Sequence, residues 1–204
     1  LRARERVRRA DFIGRDLVIV LGGDGTLTSI SHNIDENTPV MGVNSHPLSD
    51  DTNGSVGFYM DSTLKTFAED FSDALNGRAI ENNLPRLRAI IDSTSGNRYT
   101  TDPAMNELLI ANTHQYAPSK YHVRRGEKDT TQQSSGLIFS TWLGQGAWFS
   151  HSLDMQTLEK IRASVNEGDI DSNYFVLARD LGHHQRKEAP WSWVDWTNLP
   201  TQIL

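Results

Sequence analysis

Residues 17–26 read LVIVLGGDGT, and this stretch decides the fold class. Its first half is a continuous apolar run rich in β-branched residues. Such a run is typical of a strand buried on both faces, in a parallel sheet covered by helices. The glycines lie where that strand meets the next element, and ligands of open α/β sheets bind at the carboxyl ends of strands. We therefore predict an α/β domain with a ligand loop at residues 22–26.

The loop GGDGT combines glycines with a single carboxylate. Glycine lets the backbone approach a phosphate closely and aim N–H groups at it. A helix beginning near Thr26 adds its positive end. A lone carboxylate among such amides is costly unless it has a task, so we expect Asp24 to hold Mg²⁺ or to accept a proton from an attacking hydroxyl. A tight turn capped by Asp24 is the alternative. The predicted phosphate-binding residues are Gly22, Gly23, Gly25 and Thr26.

Helical and strand patterns alternate after this loop. Downstream we expect a short helix over 26–36, a second buried strand over 39–43 and a polar loop over 44–57. Apolar positions spaced by three and four then predict an amphipathic helix from residue 61 or 62 to about residue 76. Gly77 is its expected stop.

After Pro85 the pattern changes to short strands separated by turn residues, which is typical of antiparallel sheets. One helix is expected over 154–165. The predicted strands cover 84–92, 105–112, 120–125, 136–141 and 174–177. We therefore expect an α/β phosphate-binding domain over 1–80, a β-rich domain over 81–182, and a Trp-rich tail of uncertain structure over 183–204.

Composition excludes several classes of protein. The 204 residues carry a net charge of −6 and no cysteine. A chain without cysteine has no disulfide scaffold and no thiolate-ligated zinc, and a net negative charge argues against a general polyanion binder. No apolar run approaches the roughly 20 residues of a transmembrane helix. His183 and His184 are adjacent and cannot easily share one metal ion, so we expect no metal site built on histidines and name no metal-ligating residue.

Four further stretches, taken together with the loop, resemble the motifs of a known protein family. They are MGVN at 41–44, GFY at 57–59, NELLI at 106–110, and SGLIFST at 135–141 followed by Gly144 and Ala147. With GGDGT, this ordered set resembles the NAD kinase family, and the variant SSG and GVNSxP segments look most like its plant and mitochondrial NAD(H) kinase branch. GGDGT alone is shared with lipid kinases, but the Pro-x-Gly-Thr-x-Asn-Asp stretch expected of those is absent.

The resemblance implies an enzyme that transfers the γ-phosphoryl group of ATP, with Mg²⁺ or Mn²⁺, to the 2′-hydroxyl of the adenosine ribose of NAD⁺ or NADH. It further implies a Rossmann-like α/β domain followed by a β sandwich, and a homo-oligomer. We expect no nucleic-acid or membrane partner, and a cytoplasmic location with the mitochondrion as alternative. Asp24 is the candidate base. The implied nucleotide-binding residues are Asn44, Asn106, Glu107, Gly144, Ala147 and Trp148.

The segment 143–148 departs from the family pattern. It reads LGQGAW where the family has TGSTAY, so Gly146 replaces a threonine and Trp148 replaces a tyrosine. A tryptophan ring can stack as a tyrosine does, but it offers an N–H instead of a hydroxyl. The chain also looks shortened at both ends relative to the family. These two features make a non-catalytic nucleotide-binding relative one alternative hypothesis. A lipid kinase that shares the GGDGT motif is another.

Overall fold

The chain divides into two compact units, Leu1–Asn83 and Leu84–Leu204. The computed structural model describes residues 1–114, 117–163, 174–179, 194–197, 199 and 201–204. Helices and strands are both present, which agrees with the predicted α/β content. In the described part of the chain, no helix has the length and apolar character needed to cross a membrane.

The first unit is built on a three-stranded parallel sheet in the order β1-β2-β3. Its strands are β1 (Val18–Gly22), β2 (Val40–Asn44) and β3 (Ser62–Thr63). The register pairs Gly22 of β1 with Asn44 of β2. The carboxyl ends of the two strands therefore lie side by side, and the ligand loop begins at this point.

Two helices complete the first unit. Helix α1 (Asp24–Ile30) begins directly after β1 and continues into a 3₁₀ turn at Ser31–Asn33, so it starts earlier and ends sooner than predicted. Helix α2 (Phe67–Leu75) starts later than predicted, because residues 62 and 63 pair with the end of β2 instead of capping a helix. Gly77 adopts a φ of +65°, which suits the residue after a helix.

The prediction that β1 is buried on both faces was wrong. Val20 is 4% exposed, but Ile19 and Leu21 are 41% and 54% exposed. Side chains of a strand alternate between faces, so one face of β1 is packed and the described residues leave the other open. A continuous apolar run does not reveal whether one face or both faces of a strand are covered.

The second unit contains two antiparallel sheets and a separate hairpin. The first sheet has the order β11-β10-β9-β6 and the second the order β12-β7-β8, while β4 and β5 pair with each other. The strands are β4 (Ile90–Asp92), β5 (Arg98–Thr100), β6 (Glu107–Ile110), β7 (Ser119–Arg125), β8 (Lys128–Ser134), β9 (Gly136–Thr141), β10 (Tyr174–Arg179), β11 (Val194–Thr197) and β12 (Thr201–Ile203). A 3₁₀ turn (Leu143–Gly146) and helices α3 (Trp148–His151) and α4 (Met155–Ala163) follow β9.

Strand β9 lies at the centre of the second unit and is buried along its whole length. On one face Leu137 packs in a cluster with Val123 of β7. On the other face Ile138 packs with Phe149 of α3 and Leu158 of α4. The two sheets and the helical layer therefore share β9 as their common core element.

The strand predictions for the second unit range from exact agreement to complete misses. The range 136–141 is β9 as predicted, whereas only Ile90–Asp92 of the predicted strand 84–92 is a strand. Strands β5 and β8 were missed because they are polar and mostly exposed. Strands β11 and β12 lie in the tail for which no pattern was found. Residues 183, 184, 191 and 193 of that tail lie outside the described residues.

Candidate functional site

Asp24 lies at the junction of β1 and α1 in the first unit. It is the first residue of the helix, and Gly23 before it is extended with φ −114° and ψ −175°. The β-branched run of β1 ends at the two glycines, which allow the abrupt change from strand to helix. The side chain of Asp24 therefore lies at the carboxyl ends of the parallel strands.

The carboxylate of Asp24 is held by donors from a single segment, residues 55–59. Atom Oδ2 accepts hydrogen bonds from Ser55 Oγ at 3.1 Å and from the Gly57 N–H at 2.9 Å. Atom Oδ1 accepts one from the Tyr59 N–H at 2.8 Å. An ionised carboxylate only accepts and offers about four acceptor positions. Three of these are used by described residues, which leaves one on Oδ1.

The segment 55–59 is in turn fixed to the end of β2. Asn44 is only 2% exposed, and its Nδ2 donates to the Ser55 carbonyl at 3.1 Å. Its Oδ1 accepts from the His46 N–H at 3.2 Å. Gly57 adopts a φ of +75°, and a Cβ there would lie 2.5 Å from Asn44 Nδ2. The side chain of Asn44 thus supports the loop, and its predicted nucleotide contact stays a prediction.

The three glycines of GGDGT differ in what surrounds them. A Cβ on Gly22 would overlap the side chain of Thr26, and one on Gly23 would lie 2.6 Å from the Cβ of Ser55. A Cβ on Gly25 would meet nothing within 4 Å. Internal packing therefore explains the first two glycines, whereas Gly25 faces open space.

Two backbone amides of the loop are used within the protein. The Asp24 N–H donates to Ser55 Oγ at 3.2 Å, and the Thr26 N–H donates to the Gly23 carbonyl at 2.8 Å. The predicted phosphate-binding role of the loop therefore falls mainly on the other amides of the turn, and it stays a prediction.

In the second unit, the motif at 106–107 lies against the segment that follows β9. The Thr141 N–H donates to the Asn106 carbonyl at 3.1 Å. Thr141 Oγ1 donates to the Met105 carbonyl at 2.6 Å and accepts from the Gly144 N–H at 2.9 Å. A Cβ on Gly144 would overlap the backbone of Asn106. The two sequence motifs therefore form one local structure, in which the backbones of Gly144 and Asn106 approach each other most closely.

Glu107 links this structure to the start of α3. Its Oε1 accepts from the Phe149 N–H at 3.1 Å. Burial raises the pKa of the Glu107 carboxyl, and the hydrogen bonds from the backbone of Phe149 and Trp148 oppose that effect. The carboxylate thus satisfies amides at the beginning of α3, where acidic groups are favoured. Trp148 itself is 39% exposed.

The departure from the family pattern at 143–148 has a structural consequence. Gln145 is 6% exposed, and its Oε1 accepts from Arg162 Nε of α4 at 2.8 Å. A Cβ on Gly146 would meet nothing within 4 Å. The turn is therefore tied to α4 by Gln145 and open at Gly146. Ala147 closes it by donating its N–H to the Gly144 carbonyl at 3.0 Å.

Within the described ranges, no group of three or more His, Asp or Glu side chains could hold a metal ion. The oxygens of Asp24 are largely occupied by N–H and O–H donors. The described side chains of the first unit thus do not fit a resident metal site.

Three contributors to these structures were missed from the sequence. Ser55 and Tyr59 hold Asp24, and Thr141 joins two turns through its hydroxyl. GFY at 57–59 was part of the motif set, but nothing in the sequence signals that its backbone amides face Asp24. Thr141 was likewise part of the SGLIFST motif, but nothing in the sequence signals its bond to the Met105 carbonyl, 36 residues away. For Ser55 no sequence signal exists, since Asp24 lies 31 residues away in the chain.

Comparison with known proteins identifies relatives of both units. Residues 2–79 match the model of the ATP-NAD kinase N-terminal domain. The chain is 39% identical over 88 residues to an NADH kinase of Arabidopsis thaliana, covering 38% of this chain and 28% of that protein. It is 31% identical over 133 residues to a probable NADH kinase of Oryza sativa, covering 60% and 39%. The chain thus spans well under half the length of these curated relatives.

Solved structures show the same fold. A yeast NADH kinase complexed with NADH superposes with a TM-score of 0.57 at 18% identity, covering 79% of this chain and 43% of that one. An NAD kinase from Archaeoglobus fulgidus in complex with ATP gives 0.56 at 17% identity, covering 79% and 55%.

Proposed function

Because residues 2–79 belong to the ATP-NAD kinase N-terminal domain family, we propose that the chain transfers the γ-phosphoryl group of ATP to NAD⁺ or NADH. The acceptor is the 2′-hydroxyl of the adenosine ribose, and the product is NADP⁺ or NADPH. The relatives named NADH kinase and the neighbours solved with NADH and with ATP support this proposal.

The observation that carries the proposal is the geometry of Asp24. Phosphoryl transfer depends on positioning and electrostatic stabilisation more than on covalent chemistry by the protein. Oδ2 is fixed by Ser55 and Gly57, while Oδ1 keeps one acceptor position beside the Tyr59 amide. We propose that Oδ1 orients the 2′-hydroxyl and accepts its proton as the new O–P bond forms. The bond between the γ-phosphorus and the oxygen that bridges it to the β-phosphate breaks in the same step, and ADP leaves.

The open side of the loop suits the phosphate donor. Gly25 has no neighbour that a side chain would meet, so a triphosphate can approach the backbone there. Mg²⁺ or Mn²⁺ would arrive as part of the ATP complex and spread the charge of the phosphates. The residues of the chain then have two tasks, to place the phosphates against the turn and to place the hydroxyl against Asp24.

The second unit supplies the proposed nucleotide contacts. We propose that Asn106 and Glu107 bind an adenine edge or ribose hydroxyls, and that the partly exposed ring of Trp148 stacks on a base. In this proposal the first unit is Rossmann-like and the second a β sandwich. The enzyme acts as a homo-oligomer in the cytoplasm or, alternatively, in the mitochondrion.

The decisive experiment incubates the purified chain with ATP, Mg²⁺ and either NAD⁺ or NADH and measures NADP⁺ or NADPH. We expect product with at least one acceptor. The same assay applied to an Asp24→Asn variant tests the role of Asp24. Asp16→Asn is the matched control for that variant, because Asp16 is exposed and lies just before β1. Absence of product from folded chain would overturn the proposal. Thermal stabilisation by nucleotide without product would instead indicate a non-catalytic relative, and activity on diacylglycerol alone a lipid kinase.

A further inference from the structure

The hydroxyl of Ser55 lies between Asp24 and the loop that holds it. It donates to Asp24 Oδ2 at 3.1 Å, and it accepts from the Asp24 N–H at 3.2 Å and from the Gly57 N–H at 3.3 Å. A serine hydroxyl has one proton to donate and two lone pairs to accept with. All three are used, and every one is directed at Asp24 or at the glycine that also holds Asp24.

The backbone of Ser55 is equally well anchored. Its N–H donates to the His46 carbonyl at 2.8 Å. Its carbonyl accepts from the Leu48 N–H at 2.8 Å and from Asn44 Nδ2 at 3.1 Å. The absence of a side chain on Gly23 leaves room for the Cβ of Ser55. The hydroxyl is therefore presented to Asp24 from a fixed position.

From this geometry we infer that Ser55 is a positioning residue that fixes the rotamer of the Asp24 carboxylate and leaves Oδ1 as its reactive oxygen. The inference deepens the proposed function and rests on it for its kinetic consequence. Because these three bonds use the donor and acceptor positions of its hydroxyl, Ser55 acts on the reaction through Asp24 and not through a hydrogen bond of its own to the substrate. It links the end of β2 to the beginning of α1, so the carboxylate is oriented before any nucleotide binds.

Ser55→Ala tests the inference by removing the hydroxyl alone. A hydrogen bond to a charged group contributes enough that we expect kcat to fall about 10- to 100-fold. KM for nucleotide should change by less than about threefold, since the ligand contacts themselves remain. Ser55→Thr restores a hydroxyl and should recover most of kcat. Ser49→Ala is the matched control, because Ser49 lies in the same loop, is exposed and contacts only Asp50 through its hydroxyl among the described bonds.

A second measurement needs no turnover. Amide hydrogen exchange at Gly57 and Tyr59 reports how firmly the carboxylate is held, because both N–H groups donate to it. We expect exchange at these two amides to accelerate about tenfold in Ser55→Ala, with the β1–β2 amides unchanged. A wild-type chain without kinase activity would refute the proposed function, and exchange would still decide the role of Ser55. Wild-type kcat in Ser55→Ala, or unchanged exchange at both amides, would overturn the inference.

Discussion

Asp24 in the first unit and Glu107 in the second are both carboxylates held by backbone N–H groups from distant segments. Asp24 accepts from the amides of Gly57 and Tyr59, and Glu107 accepts from the amide of Phe149. Their surroundings differ. Asp24 lies at the end of a parallel strand and keeps an acceptor position, whereas Glu107 is half-buried and lies at the beginning of α3.

A backbone N–H that donates to a carboxylate can therefore serve two purposes. Donors that fix one oxygen and leave capacity on the other prepare a carboxylate for a substrate hydroxyl. Donors at the beginning of a helix also anchor the carboxylate of Glu107 to the scaffold, and burial raises its pKa. We therefore expect substitutions at the Asp24 loop to affect turnover most, and substitution of Glu107 to change the pH dependence of stability in addition to the nucleotide contact proposed for it.

The largest effect is expected from Asp24→Asn. The amide nitrogen of asparagine would face the donors that now hold a carboxylate, and the general base is lost. We expect kcat for phosphorylation of NAD⁺ or NADH to fall about 100-fold or more. Steady-state kinetics measures this, with thermal unfolding to verify the fold. Near-wild-type turnover of Asp24→Asn would contradict the proposal that Asp24, unlike Glu107, acts as the base.

Gly144→Ala should have the next largest effect, and on stability. Its Cβ would overlap the backbone of Asn106, which cannot move without displacing β6. We expect the free energy of unfolding to fall by about 1–3 kcal/mol, as for overpacked sites. Gly146→Ala in the same turn is the matched control and should change it by less than about 0.5 kcal/mol, because its Cβ meets no neighbour. Equal effects in denaturant titrations would contradict the assigned contact.

Gly57→Ala tests whether the loop at 55–59 positions Asp24. An L-residue at its positive φ costs about 1–2 kcal/mol, and its Cβ also meets Asn44. Gly14→Ala carries the same conformational cost at φ +69° without a steric neighbour. Gly57→Ala should therefore destabilise more than Gly14→Ala and should also lower kcat, because the Gly57 amide holds Asp24. Indistinguishable unfolding and kinetics of the two variants would show that the loop does not position Asp24.

The smallest effect concerns the pH dependence of Glu107. Its pKa in the folded protein is raised above the ordinary value of 4.5, so the folded state binds the proton more tightly than the unfolded state. Glu107 therefore contributes a loss of stability as the pH rises through the range from 4.5 to its folded pKa. In Glu107→Gln this decline should disappear, and the stability difference in favour of Gln should grow with pH over that range.

Denaturant titrations from about pH 4 to 8 measure this dependence. Glu159→Gln, at an exposed position of α4, is the control and should follow the wild-type curve. A Glu107→Gln curve that runs parallel to the wild type would mean that burial does not penalise the charge of Glu107.

The sequence motifs predicted the family, whereas the hydrophobic pattern predicted only some of the strands. The resemblance to the NAD kinase family is confirmed by the match of residues 2–79. Strand β9 was predicted correctly because every one of its residues is buried, so its whole length reads as apolar or small. Strand β8 was not, because a polar strand supported by its neighbour β7 carries no hydrophobic signal of its own.

The strand, the glycine turn and the carboxylate at its end could be predicted from the sequence alone, because these features depend on residues adjacent in the chain. The sequence also determined which motifs belong together, through their order. The folded structure was needed to show that Ser55, Gly57 and Tyr59 hold Asp24, and that Glu107 supports α3. Apart from the Ser55 hydroxyl, the donors in these contacts are backbone N–H groups of distant segments. Every residue carries the same backbone amide, so its partner is set by the folding of the chain and not by the identity of a side chain.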